Sequence, residues 1–590
     1  MGAFSPSIIQ CHTPHSALAL RTTFVPIHKC PMPQSDVSLA IGSPRFSDPR
    51  LASLCSEQGP LEAWRQALTR DGATAAAGVT GPFAVGVQEP GGRTFLAIDR
   101  FAVHSLCYRL VGGQLRFATR ADELADAATE IDPQAIFDYV YFHVIPSPRT
   151  IYKGVFRLPP GHYALFEDGR LTVAPYWVAS FEEQNDASFD DLKHEFRRLL
   201  QQAVHTGLDG GKPGCFLSGG TDSSTITGMA GLASGRTVAT YSIGFDAQGY
   251  DEMEFARIAA RHFNTEHHEY YVTPEDLVRS IPLVAAYYVQ PFGHSSALPS
   301  YYCAKMARED GVTKLLAGDG GDELFGGNTR YAKQKVFGWY DHIPAGLRSA
   351  VLEPVFGMSF MSRPPLIRKA ASYVNQAKVT MPDRMMTYNL LLRLGVAEVL
   401  TPELLAGVDQ QGPVRQQRDL WPMARTSSMV NRMLAFDWRY TLSDCDLPKV
   451  VGTTALAGIE VGFPMLDDRL LDFSLKLPTH YKLKGQQLRW FFKEALRGFL
   501  PDEIITKKKQ GFGLPFGVWA NNNPALKALA SDSLQSLAGR GVVRAEFVHA
   551  LMHQKLPEHP GYYGEMVWIL MMLEQWLGAK KPGYSLSNKR

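Results

Sequence analysis

The amino-terminal part of this sequence is short of two residue types: no acidic residue precedes Asp36 and no asparagine precedes Asn185. Cysteine is sparse throughout. The seven residues Cys11, Cys30, Cys55, Cys107, Cys215, Cys303 and Cys445 include no C-x-x-C pair. An odd, scattered set argues against a secreted disulfide scaffold and fits a reduced, cytoplasmic chain. Long apolar runs are missing too. The longest near the carboxyl end, VWILMML at 567–573, falls far short of the roughly 20 residues that span a bilayer. No sign of charge dominates: 60 Lys+Arg against 58 Asp+Glu leave a formal +2, which argues against a nucleic-acid or anionic-membrane surface. The acid-poor start has the composition of a targeting peptide, but its apolar run SALAL is shorter than a signal core and no cleavage site follows. It reads as a poorly ordered or misassigned start.

What remains is ordinary globular chemistry, with 45% apolar and 20% charged residues in a chain of 590. At roughly 150 residues per domain, the length allows about four domains or two larger units. Residues 1–60, rich in Pro, Ser and His, read as loosely structured. From Gly81, the segments FAVGV, RTFLAIDR, HSLCYRL and QLRFATR with their glycine turns predict a β-meander. The segment DPQAIFDYVYF opens on Asp132-Pro133 and predicts a helix, and GHYALFE and RLTVAPYW flank a DG turn. The polar stretch FEEQNDASFDD at 181–191 is the linker candidate. Then the texture changes. Helix DLKHEFRRLLQQAVHTGL, strand PGCFL, helix SSTITGMAGLA, strand VATYSIGF, helix YDEMEFARIAARHF and strand HHEYYV alternate as in a parallel sheet wrapped by helices. Beyond about residue 330 the chain reads mostly helical.

Two segments carry chemistry. In CFLSGGTDSSTITGMA at 215–230, an apolar strand runs into Ser218-Gly219-Gly220-Thr221-Asp222-Ser223-Ser224 and a helix. Glycines let backbone approach an anion, while hydroxyls and a helix N-terminus supply donors. The segment lacks the lysine of a Walker A loop, so it is a different phosphate cradle. Asp222, a carboxylate inside an anion site, makes sense chiefly as a Mg²⁺ ligand. The second segment, LLAGDGGDELFGGNTRY at 315–331, places Asp319, Asp322 and Glu323 on a glycine loop after another short strand. Three clustered acids repel one another unless a cation neutralises them.

Together, SGGTDSS and GDGGDELFGG make the chain resemble the asparagine synthetase family from about residue 75 to 580. The resemblance implies an α/β fold: a PP-loop (adenine nucleotide α-hydrolase-like) parallel sheet with a helical C-terminal extension. Before it would stand a degenerate Ntn-type, α+β and β-rich domain. The domains expected are a loose segment at 1–60, a glutaminase-like domain at 61–180 and an ATP-binding synthetase domain at 190–585. The family cleaves ATP between the α and β phosphates and passes a carboxylate through an acyl-adenylate to an amine. On that resemblance the ATP site comprises Leu217, Ser218, Gly219, Gly220, Asp222, Ser223, Ser224, Ile243, Ala317 and Gly318. Ser218, Gly220, Ser223 and Ser224 would hold pyrophosphate, and Leu217, Ile243, Ala317 and Gly318 would line the adenosine pocket. Asp222 and Asp322 would bind Mg²⁺, and Asp319 would be the base. LDDRLLDFSLKLP, LRWFFKEALRGFLP and KKKQGFGLP match the family's later signatures, and Lys507, Lys508 and Lys509 could reach the polyphosphate or form a solvated basic face.

The chain also departs from the family. Position 2 is Gly2 where glutamine-hydrolysing members carry a nucleophilic cysteine, and the Asn-Gly-Glu glutamine-binding segment has no counterpart before Asn185. Asp99 matches the glutamine-binding aspartate but makes no site alone. Val451, Gly452 and Gly462 stand where the family commonly has an aspartate and two arginines, so the aspartate pocket is in doubt. A catalytic lysine of the family aligns with Arg489, which can steady an oxyanion but cannot shuttle a proton. The expected activity is an ATP- and Mg²⁺-dependent amide-forming ligase without its own glutaminase. Its partners would be a small-molecule or peptide carboxylate and an amine or ammonia, with neither nucleic acid nor membrane, and a homodimer is the assembly considered. Other readings stay open: glutamine-hydrolysing asparagine synthesis with a misassigned start, lasso-peptide or β-lactam-type cyclisation, and a nucleotide-binding relic without turnover.

Overall fold

The computed structural model describes residues 38–184, 186–208, 210–341, 376–508, 511 and 513–586. Gly2, Cys11, the acid-poor start and Lys509 lie outside the described residues. From residue 39 onward the expected loose segment is structured. Strand β1 (Leu39–Gly42) is followed by helices α1 (Pro49–Gln58) and α2 (Pro60–Asp71). Asp48 caps α1 by accepting from the backbone N–H groups of Arg50 and Leu51, with Pro49 at the first helical position. Fully buried Trp64 of α2 lies against Phe46 and Phe83, with ring centroids 5.3 and 5.1 Å away.

Strands β2 (Phe83–Gln88), β3 (Thr94–Ile98), β4 (His162–Glu167) and β5 (Arg170–Pro175) join β1 in an antiparallel sheet of order β1-β2-β3-β4-β5. The β4–β5 turn is the expected DG pair, with φ of 50° at Asp168 and 74° at Gly169, as a tight hairpin requires. The expected meander is two hairpins in two sheets, because Cys107–Val111 pairs with Gln114–Ala118 on one side and Phe156–Arg157 on the other, in a sheet of its own. Asp99 causes the break. Its carboxylate accepts the N–H groups of Phe101 and Val103 and turns the chain away after β3.

Helix α3 (Pro133–Phe142) ends at His143, which adopts φ 66°. It does not stay with the N-terminal sheets. Ile136, Phe137, Tyr139 and Val140 share one buried cluster with Tyr241, Phe245 and Trp568, and Tyr139 Oη donates to the Ile569 carbonyl at 2.8 Å. The proposed linker is likewise docked: Phe181 and Glu182 donate backbone N–H groups to Arg425 and Leu475, and Glu183 accepts from Asn431 and Thr479.

After α4 (Phe189–Gly207) comes the alternation read from the sequence: β6 (Gly214–Phe216), α5 (Thr221–Ser234), β7 (Ala239–Phe245), α6 (Met253–Phe263) and β8 (Glu266–Val272). Helix α7 (Ala297–Glu309) leads to β9 (Lys314–Leu316), and β10 (Glu460–Gly462) closes an all-parallel five-stranded sheet of order β8-β7-β6-β9-β10. Every residue of β7 is buried, as expected for a central strand covered on both faces. This is the α/β architecture of the adenine nucleotide α-hydrolase type, with a mostly helical remainder ending in α11 (Pro560–Lys580; α8 to α10 are introduced below). No helix among the described residues is long and apolar enough to cross a membrane.

Candidate active site

Chain order reverses between β6 and β9, which are neighbours although β7 follows β6 on its other side. Crevices form beyond the carboxyl ends of strands at such switch points. Here the crevice is a cleft of about 550 Å³, lined by the loops that leave β6 and β9. The two motifs therefore meet because their strands pair, Gly214 with Leu315 and Cys215 with Leu316.

The first loop folds tightly. Gly219 has φ +68°, and a Cβ there would lie 2.4 Å from the Ala256 nitrogen of α6, so only glycine lets the loop pack on that helix. Ser218 and Ser223 join hydroxyls at 3.0 Å, and the Ser218 N–H donates to the Ser223 hydroxyl at 3.2 Å. Helix α5 starts at Gly220 without a side-chain cap, leaving its amino end for an anion in the cleft.

The second loop leads through Ala317, Gly318 and Asp319 into the short helix α8 (Gly321–Phe325). Glycines bring it against the first. A Cβ at Gly318 would lie 2.8 Å from the Asp222 backbone, and one at Gly321 would lie 2.5 Å from Asp222 Oδ1. Helix α9 (Leu447–Ala457) and α10 (Trp490–Ala495) complete the wall. Arg489, just before α10 at φ 51°, places Nη1 2.6 Å from both Asp222 oxygens and 2.8 Å from Asp322 Oδ1. Two carboxylates thus converge on one point. That donor set fits a hard divalent cation, and a guanidinium already neutralises it.

The far end of the cleft is acidic. Burial raises Asp319 to about 6 and Glu323 to about 8. Lys449 of α9 pairs with Asp446 at 2.8 Å, and although burial opposes ionisation of Asp446, the Lys449 ammonium holds its carboxyl below the ordinary value. Asp446 ends the π-helical stretch Trp438–Asp446, a widened turn of the kind that re-aims side chains at functional sites. Gly452 explains one missing arginine: a Cβ there would lie 2.6 Å from the Tyr288 ring, which stacks on Phe292 at 4.8 Å. A long side chain at 452 has no room.

Of the residues singled out from the sequence, Leu217, Ser218, Gly220, Asp222, Ser223, Ile243, Gly318, Asp319, Asp322 and Arg489 line the cleft, together with Lys507 and Lys508. Lys507 pairs with Glu252 at 2.9 Å. Gly219, Ser224 and Ala317 stand behind the wall. Gly219 packs on α6, Ser224 is fully buried in the first turn of α5, and Ala317 donates its N–H to the Gly462 carbonyl at 2.9 Å. The Ser224 hydroxyl finds no hydrogen-bond partner among the described residues. Asp99 lies apart, with backbone N–H groups of Phe83, Phe101 and Val103 on its carboxylate and burial raising it to about 7. The sequence reading missed Glu252, His294, Asp446 and Lys449, all on the cleft wall. The one local signal was the Asp446–Lys449 spacing beside an apolar stretch.

Fold and site define a nucleotide-dependent ligase domain behind an antiparallel β-rich domain. Residues 195–578 match the asparagine synthase family and residues 55–177 match the glutamine amidotransferase domain. The chain belongs to the asparagine synthase family and is an ATP-dependent carbon–nitrogen ligase of that type. It is 27% identical over 488 residues to asparagine synthetase [glutamine-hydrolyzing] 1 of Bacillus subtilis, covering 81% of this chain and 74% of that protein. A putative asparagine synthetase [glutamine-hydrolyzing] 2 of Methanocaldococcus jannaschii is 34% identical over 245 residues, 40% of this chain and 47% of that one. Amidase chry2 of Gibberella zeae is 23% identical over 468 residues, 72% of this chain and 68% of that one.

Proposed function

We propose that the protein activates a carboxylate other than free aspartate as its acyl-adenylate and joins it to an amine without hydrolysing glutamine. The observation that carries this reading is the convergence of Asp222, Asp322 and Arg489 beside the uncapped start of α5, with Asp319 on the same cleft. Substrate carboxylate oxygen would attack the α phosphorus of ATP and pyrophosphate would leave, forming the acyl-adenylate. The α5 amino end and the Ser218 and Ser223 hydroxyls would bind the departing pyrophosphate. Asp222 and Asp322 would hold Mg²⁺, which when bound would offset charge on the phosphate oxygens. The amine nitrogen would then attack the acyl carbon and AMP would leave, with Asp319 taking the amine proton. Arg489 stays charged and steadies oxyanionic charge without moving a proton.

Two findings support the lack of glutamine hydrolysis. The Asp99 carboxylate is already engaged by three backbone N–H groups. Within the amidotransferase-like region, burial raises the thiols of Cys55 and Cys107, the latter to about 11, away from a reactive thiolate. The room taken by Tyr288 at Gly452 supports an acceptor other than aspartate.

A pyrophosphate-release screen of the purified protein against carboxylates, with ammonia, glutamine and organic amines compared, tests the proposal. Release that depends on both a carboxylate and an amine, with no glutamate formed from glutamine, is the expected result. Glutamate production would refute the glutamine part, and ATP binding without release for every pair would refute the ligase reading.

A further inference from the structure

A second chamber of about 270 Å³ adjoins the cleft, and His294 lies on the walls of both. Five separate parts of the chain build it: His143 at the end of α3, Tyr250, the turn Gly293–Ser295 before α7, the segment from Gly513 to Gly517, and the first turns of α11 with Glu565 and Trp568. The corner is fixed backbone to backbone. Gly293 donates its N–H to the His143 carbonyl at 2.9 Å, and a Cβ on Gly293 would sit 2.7 Å from that oxygen. The helical wall is fixed as well, since a Cβ on Gly564 would lie 2.3 Å from the Gly517 Cα.

The lining has a distinct chemistry. His143 Nε2 and the Trp568 indole N–H find no hydrogen-bond partner among the described residues. Burial pulls His143 and His294 down to about 4, so both rings are neutral at physiological pH. His143 Nδ1 lies 3.5 Å from Glu565 Oε1, and His294 Nδ1 is 2.8 Å from the Ser296 hydroxyl. Neither lysine nor arginine is among the described lining residues, and Glu565 is the one carboxylate. The Glu565 side chain is 59% exposed, so the chamber reaches solvent at Glu565 and the cleft at His294. A volume of about 270 Å³ is some nine times the roughly 30 Å³ a water molecule occupies, far more than ammonia needs.

We propose that this chamber docks the amine substrate, an organic primary amine bearing a second cationic nitrogen, with Glu565 holding the far nitrogen while the reacting one passes His294 into the cleft. This rests on the ligase reading above and assigns its nitrogen donor. The reacting nitrogen must be neutral to attack and gives its proton to Asp319, so the carboxylate at the outer mouth matches a different nitrogen. Among the described lining residues an anionic ligand would meet a carboxylate and no cation. Glu565 is a positioning residue in this scheme.

Calorimetric titration of the full chain without ATP tests it, with 1,5-diaminopentane, ammonium chloride and pentanoate as probes. The diamine should bind saturably, pentanoate should not, and ammonium should fail to compete. Glu565→Gln, at an exposed side chain, should weaken the diamine roughly 10- to 100-fold, the loss of one charge-assisted contact, while Mg·ATP binding stays unchanged. Trp568→Phe should remove any diamine-dependent change in tryptophan fluorescence. Diamine affinity unchanged by Glu565→Gln, competition by ammonium at equal concentration, or no saturable diamine binding would each overturn the proposal. Failure of the ligase reading would look different: no carboxylate would elicit pyrophosphate, yet Glu565-dependent diamine binding would persist.

Discussion

Nη1 of Arg489 lies 2.6 Å from each carboxylate oxygen of Asp222, and the same nitrogen is 2.8 Å from Asp322 Oδ1. One guanidinium therefore holds together the two glycine loops whose acids were read separately from the sequence. The arginine side chain is 8% exposed and each aspartate 19%, so these charges are poorly screened and depend on one another.

Removing the guanidinium tests that dependence. Arg489→Ala should cost about 3 kcal/mol, because it strands two carboxylates at close quarters. Millimolar Mg²⁺ should then raise the melting temperature of the variant more than that of the native protein, since a divalent cation can take over the neutralisation. Equal Mg²⁺ shifts in the two proteins, measured by thermal unfolding without nucleotide, would remove Asp222 and Asp322 as a metal site.

Asp319 and Glu323 sit four residues apart, yet burial raises one to about 6 and the other to about 8. At pH 7 Glu323 is then mainly protonated and Asp319 mainly ionised, which leaves Asp319 as the available base. A base works only when deprotonated. The amide-forming rate should therefore fall as pH drops through about 6. Asp319→Asn should slow that step by roughly 10²- to 10⁴-fold and abolish the acidic limb. Single-turnover rates between pH 5 and 8, a range that brackets Asp319, would show it; a limb that survives in the variant belongs to another group.

Both glycine loops were legible because strand, glycine turn and helix lie within a few residues of one another. The acceptor end was not, since Asp446 and Lys449 reach the cleft from segments whose local patterns are those of ordinary helices. Gly452 could be read as a lost charge, but only the structure shows the Tyr288 ring in the space a side chain would need. The Asp-Pro start announced α3 as a helix without saying what it packs against, and its partners lie in the synthetase core. The Asp48-Pro49 cap was present in the sequence, yet α1 is too short for its periodicity to stand out from the Pro- and Ser-rich residues before it.

Glycine at 219 is required twice, by φ +68° and by the 2.4 Å approach of its absent Cβ to the Ala256 nitrogen. Gly219→Ala should destabilise the protein by about 1–3 kcal/mol and weaken ATP binding, because relief of the clash moves the loop off α6 and away from the start of α5. Gly235, also at positive φ, has nothing within 4 Å of its absent Cβ, so Gly235→Ala should carry backbone strain alone and leave ATP affinity unchanged. Equal ATP affinities for both variants by equilibrium dialysis would refute the proposed role of the loop.

Asp444 ties the N-terminal domain to the segment that carries Asp446. Its buried carboxylate accepts from the Ser147 N–H at 3.2 Å, the Ser147 hydroxyl at 3.0 Å and Arg157 at 2.6 Å, and pairs with Arg439 at 3.0 Å. Asp444→Ala leaves two half-buried arginines without their shared buried anion, a change that should cost about 3 kcal/mol. The exposed Glu195–Arg198 pair on α4 is the contrast, and Glu195→Ala should cost less than about 1 kcal/mol. Because Asp444 and Asp446 share the widened turn Trp438–Asp446, loss of the first should also displace the second from Lys449. Asp444→Ala should then lower carboxylate-dependent pyrophosphate release even at temperatures where the variant stays folded, whereas Glu195→Ala should not. Unchanged release in a folded Asp444→Ala protein would show that the domain contact stabilises the chain without setting the geometry of the cleft.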